Sequence, residues 1–163
     1  MNDASPIRTT PGSWFEDYPV GAVYTGGPIT VSEQDILDFA RRYDPQPMHI
    51  DKASAEAGPF GGLIASGWHT GSLMMQMLAR HFVPHPGNLP SPGLDELRWM
   101  RPMRPGDMLS LRVTVETARR SRSKPDIGVV TSLVELLNQD GDVVLSLKPV
   151  SLMRCRPAAG ERG

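Results

Sequence analysis

A chain of 163 residues is long enough to bury one core and short for two, so a single compact unit is expected. Seventeen basic against eighteen acidic residues leave a net charge of -1, which excludes a global pull toward nucleic acid or an anionic membrane and makes any anion site local. The one cysteine, Cys155, cannot close an internal disulfide and has no repeated Cys/His metal pattern beside it, as fits a reducing cytoplasm.

The opening "MNDASPIRTTPGSW" lacks the basic and apolar regions of a signal peptide, so residues 1–13 are expected to form a flexible tail. The closing "RPAAGERG", residues 156–163, reads the same way, leaving one domain over 14–155. No apolar run approaches the roughly 20 residues that span a bilayer. A short strand is expected around Val23 and Tyr24. In "VSEQDILDFARRYD" Ser32 can cap a helix with Asp35 three residues on, and Ile36, Phe39, Ala40 and Tyr43 fall on one face. Arg41 and Arg42 suit the negative end of that helix, and Pro45 stops it.

"DKASAEAG" predicts one or two helical turns closed by Gly58. A Gly-rich approach then leads to a second long helix from about Gly67 to Phe82. Leu73, Met74, Met77, Leu78 and Phe82 lie on one side of it, with Met75 widening the stripe, and core filling is the expected use of these methionines. From residue 96 the period changes to two. Leu109, Leu111, Val113 and Val115 alternate with polar residues; further strands are expected over Gly128 to Asn138 and, after an Asp140-Gly141 turn, Val143 to Arg154. The last strand slips its alternation at Lys148-Pro149, which predicts a bulge or an exposed edge. "ELRWMR" is a fourth strand candidate. The whole reads as an α+β layer in which an antiparallel sheet covers one apolar helix.

The stretch "YDPQPMHID", residues 43–51, concentrates the chemistry. Asp44 and His49 flank two prolines and admit three readings: catalytic partners, metal ligands, or unrelated surface groups. On a straight polyproline rod they would stand about 15 Å apart, so convergence requires the chain to turn near Met48 and His49. A metal is poorly served, because no third histidine or carboxylate stands at ligand spacing from His49 and Asp51. His69, His81 and His85 are scattered and read as solvated or core-edge residues. Ser66 is a candidate cap of the second helix, and Gly67, its first residue, leaves free N–H groups open to an anion or a developing oxyanion. An acid, an imidazole and a helix start together form a carbonyl-chemistry set.

"YDPQPMHID", "FGGLIASGWHT", "WFEDYPVGAVY", "LRWMRPMRPGDMLSLRVTV", "RRSRSKPDIG" and "NQDGDVV" together resemble the MaoC-like family of (R)-specific enoyl-CoA hydratases and acyl dehydratases, from about residue 14 to 154. Asp44, Pro47 and His49 match the family motif Asp-x-Asn-Pro-aliphatic-His, while Gln46 stands at the Asn and Met48 at the aliphatic position. Ser66 stands where His is often found. The resemblance implies a single hotdog fold, an antiparallel sheet wrapped around a long central helix. It implies reversible addition of water to a trans-2-enoyl-CoA, giving an (R)-3-hydroxyacyl-CoA. Asp44 and His49 would hold the catalytic water, and the Gly67 N–H would bind the enolate oxygen. Gln46 and Ser66 would border the substrate, and Arg119, Arg120, Arg122 and Lys124 would meet the phosphates. No cofactor or metal is implied; the partners are an acyl-CoA thioester and a second copy of the chain, as a homodimer or a dimer of dimers. A hotdog thioesterase and a silent acyl-binding subunit are the alternatives.

Overall fold

The computed structural model describes residues 7, 8 and 11–158. Much of the expected N-terminal tail and the last five residues lie outside the described residues; Ile7–Arg8 forms a short strand, β1, parallel to Val23 and Tyr24. The remaining elements are a short 3-10 helix (Phe15–Asp17), β2 (Val23–Thr30), α1 (Glu33–Tyr43), α2 (Pro47–Ile50), α3 (Lys52–Ala57), α4 (Gly67–His81), β3 (Asn88–Trp99), β4 (Met108–Arg120), β5 (Ile127–Leu137) and β6 (Val143–Arg154). They build one sheet in the order β1-β2-β4-β5-β6-β3, whose last five strands are antiparallel.

Alternation explains how the sheet meets α4. Leu109, Leu111, Val113 and Val115 of β4 and Val130, Val134 and Leu136 of β5 are at most 1 % exposed, and they face the helix that contributes Met74, Met77 and Leu78. Each such side chain stabilises the fold by about 1.5–3 kcal/mol relative to exposure. Phe82, just past the helix, closes the core edge-on against Tyr18 and Tyr24, and the Tyr18 hydroxyl donates to its carbonyl at 2.6 Å. A sheet wrapped round one long helix is the hotdog architecture.

Several expectations need correction. The strand read at Val23 and Tyr24 runs on to Thr30, because an irregularity between Gly26 and Ile29 lets pairing with β4 resume after Gly-Gly-Pro. Met75 does not widen the buried stripe: it is 49 % exposed, since the sheet covers only one side of α4. The strand β6 forms no edge and does not slip against β5 at Lys148-Pro149; its own irregularity lies at Val144, an extra residue between the Leu145–Leu136 and Val143–Leu137 pairs. Leu145, Leu147 and Met153 keep one inward parity, and β6 pairs on both sides, unbroken past Pro149 against β5. Against β3 the extra residues sit in β3, between Leu89 and Gly93 and between Asp95 and Arg98, the latter opposite Lys148 and Ser146. The exposed edge is β3, which starts at Asn88, well before "ELRWMR".

Candidate active site

The helix α1 forms where the pattern placed it. Ser32 Oγ accepts from the Asp35 N–H, Ile36 and Ala40 are buried, and Arg41 and Arg42 occupy the last turn. Asp44 is its C-cap, with an N–H bonded to the Ala40 carbonyl. The prolines then do something other than build a rod. Pro47 takes the first position of the one-turn helix α2, where a missing N–H is harmless, and the His49 N–H closes on the Gln46 carbonyl at 2.9 Å. That turn swings His49 back toward Asp44.

His49 is buried, and its Nδ1 lies 2.8 Å from the Ile64 carbonyl, which can only accept. Nδ1 therefore carries the hydrogen and Nε2 is left facing Asp44 Oδ2 at 3.5 Å. Both oxygens of Asp44 are engaged. Oδ2 accepts from Ser66 Oγ at 2.6 Å and Oδ1 from the Gln46 amide at 2.7 Å. Ser66 first, then Gln46, with a smaller contribution from His49, hold the Asp44 carboxyl below its usual range against partial desolvation.

Ser66 is fully buried and is the N-cap of α4, accepting from the Trp68 N–H at 3.2 Å. The Gly67 N–H has no acceptor among the described residues. Above it lies Trp99, the last residue of β3, whose Nε1 donates to the Gly67 carbonyl at 2.8 Å. A Cβ on Gly67 would fall 2.6 Å from the indole. Asp44, His49 and Gly67 line one cavity of about 410 Å³, walled by Met48, Phe60 and Met103.

The cavity thus joins Asp44, Gln46, His49 and Gly67 at one place, with Ser66 behind the carboxylate. Asp51 is set apart: its carboxylate caps α3 through the Ser54 N–H. Among the described residues no group of three His, Cys, Asp or Glu is placed to hold a metal. Arg119, Arg120, Arg122 and Lys124 do not line the cavity. Arg119 and Arg120 end β4 and Arg122 and Lys124 lie in the turn that follows, all at the Asn88 end of the sheet by the strand registers, whereas the cavity lies at the Trp99 end. Arg120 is bound to Glu16 and to the Pro125 carbonyl. Trp99, Phe60 and Arg101 were missed from sequence. Arg101 borders the cavity and pairs with Asp142 at 3.2 Å, but no periodicity places residues 99–101 against residue 67.

A family model described as a MaoC like domain matches residues 16–136. A solved MaoC-like dehydratase from Rhodospirillum rubrum is 37 % identical, with TM-score 0.84 over 90 % of this chain and 100 % of that one. An R-hydratase from Pseudomonas aeruginosa is 26 % identical, with TM-score 0.68 over 93 % and 94 %. A 3-hydroxybutyryl-CoA dehydratase from Methylorubrum extorquens is 27 % identical over 139 residues, 82 % of this chain and 83 % of that protein. With the fold, the cavity and a family match over more than half its length in agreement, the chain belongs to the MaoC-like dehydratase family.

Proposed function

We propose that the protein adds water reversibly to a trans-2-enoyl-CoA, giving an (R)-3-hydroxyacyl-CoA. The observation that carries this is the 3.5 Å approach of His49 Nε2 to Asp44 Oδ2 in a cavity also lined by Gly67, whose N–H has no acceptor among the described residues. A water between the two side chains gives a proton to one of them as its oxygen bonds to C3. The C2–C3 π electrons move to C2 and the carbonyl, and the Gly67 N–H receives the enolate oxygen. That same proton, passed across the 3.5 Å pair, is delivered to C2 by the other member, which leaves both groups as they began. Helix α4 contributes the positive end of its dipole at the enolate.

The distant basic turn enters this reading through a second copy. The strand β3 is a long exposed edge, and two copies pairing antiparallel along it would set the Asn88 end of one beside the Trp99 end of the other. The partner's Arg119, Arg122 and Lys124 would then approach the phosphates of the bound thioester. The proposed setting is the cytoplasm, without nucleic acid or membrane partners; among the described residues no helix is long and apolar enough to cross a membrane.

The test is incubation with crotonyl-CoA and with longer and branched enoyl-CoAs. Loss of the conjugated thioester absorbance with the (R)-3-hydroxy product supports the reading. Release of free thiol from saturated acyl-CoA without hydration assigns a thioesterase instead. Asp44→Asn and His49→Ala each reduce kcat by about 10²–10⁴; full activity in both sinks the dyad.

A further inference from the structure

Gln46 has a connection to the dyad that its place in the sequence does not reveal. Its side chain is exposed and borders the cavity, yet its Nε2 donates to Asp44 Oδ1 at 2.7 Å. The backbone repeats the link: the Gln46 N–H donates to the Asp44 carbonyl at 2.8 Å, and the Gln46 carbonyl accepts from the His49 N–H at 2.9 Å. One residue therefore touches both members of the pair. A carboxylate turns freely about its last bond unless its two oxygens are distinguished, and here they are. Oδ2 lies between Ser66 Oγ and His49 Nε2, and among the described residues Oδ1 is bonded by Gln46 alone.

We propose that Gln46 is a positioning residue of the dyad, its amide fixing the rotation of the Asp44 carboxylate so that Oδ2 stays directed at His49. The inference rests on the hydration reading for its kinetic consequence, though the hydrogen bond itself does not.

The amide also acts on the electronics of Asp44. Donation to an ionised carboxylate favours the ionised form, so losing the donor raises the pKa and replacing it with an acid raises it further. Few other charges face Asp44. His49 comes from α2 and the neutral Ser66 from α4; Arg101, across the cavity, is held by Asp142. On α1 itself Arg42 lies over the Tyr43 ring, and the Asp51 carboxylate is turned to the Ser54 N–H. A change at Gln46 should thus be read mainly by Asp44.

The experiment compares the full chain with Gln46→Ala, Gln46→Glu and Gln46→Asn, following the Asp44 carboxyl carbon by NMR titration and measuring kcat and KM for enoyl-CoA hydration across pH. The expected result is an Asp44 midpoint raised by about half a unit or more in Gln46→Ala and further in Gln46→Glu. With it, kcat should fall about tenfold while KM stays within about twofold, and Gln46→Asn, which keeps an amide, should recover most of the loss. An unmoved midpoint in both Ala and Glu variants overturns the proposal whatever the activity. A moved midpoint with unchanged kcat in an active enzyme also overturns it. If the midpoint moves but the unaltered protein hydrates no enoyl-CoA, positioning of Asp44 stands and the hydration reading fails.

Discussion

Ser66 Oγ and Asp44 Oδ2 are 22 positions apart in sequence and 2.6 Å apart in space, joined by a hydrogen bond from hydroxyl to carboxylate. The same Ser66 oxygen accepts from the Trp68 N–H, so one atom caps α4 and anchors the acid. The start of the long helix and the end of α1 are thereby held in fixed relation, which places the Gly67 N–H beside the dyad.

Ser66→Ala removes both bonds. A hydrogen bond to a charged group contributes about 1.5–3 kcal/mol, so kcat should fall about 10- to 100-fold. Loss of the cap should lower stability by about 1 kcal/mol in denaturant melts. A variant with normal kcat and reduced stability would restrict Ser66 to the capping role.

Gly67→Ala brings a Cβ to 2.6 Å from Cε2 and Nε1 of Trp99, so the indole must leave its place over the helix start. The expected outcome is a red-shifted tryptophan emission, a stability loss of about 1–3 kcal/mol and a fall in kcat. Shrinking the opposing side chain in Gly67→Ala/Trp99→Ala should relieve the clash, making the two changes non-additive in a double-mutant cycle.

His69 gives a pH dependence of stability. It is 5 % exposed, stacks on Phe39 at 4.7 Å, and its Nδ1 has no partner among the described residues. Burial pushes its pKa below the ordinary 6.5, opposed by Asp35. The unfolded chain therefore binds the proton first, so stability is full above pH 6.5 and declines as the pH falls from there toward the folded-state value. Asp44, also depressed, loses its contribution only below its ordinary 3.8, a separate window. His69→Phe keeps a ring on Phe39 and removes the titration; its melting temperature should stay flatter below pH 6.5, and an unchanged slope would count against this account.

The basic turn can be tested by subunit mixing. Replacing Arg119, Arg122 and Lys124 by alanine should raise KM for a CoA thioester about tenfold at low salt and leave a nucleotide-free thioester unaffected. Mixed dimers with His49→Ala chains should recover normal KM if the turn serves the neighbouring site. No recovery would place its action within one chain, or nowhere.

Local chemistry made much of this protein legible. The Ser32 cap and the Ile36 and Ala40 face specified α1; alternation from Leu109 to Val115 specified β4, because a strand buried on one side must repeat every second residue. The motif from Asp44 to His49 marked two residues that share the candidate cavity, although its prolines pointed equally to a rod. Burial of His49 against the Ile64 carbonyl is a nonlocal contact, and it accompanies the one-turn helix that brings the dyad together.

What the sequence by itself determined was α1, most of the apolar side of α4, the alternating strands β4, β5 and β6, and which residues are candidates for the chemistry, since these rest on spacing within a few turns or strands. Tertiary structure alone decided that Trp99 covers Gly67, that Gln46 holds Asp44, and that β3 rather than β6 is the edge. It also set the basic turn at the far end of the sheet from the cavity. Such relations depend on strand order and register, which join residues with no periodic relation in the chain.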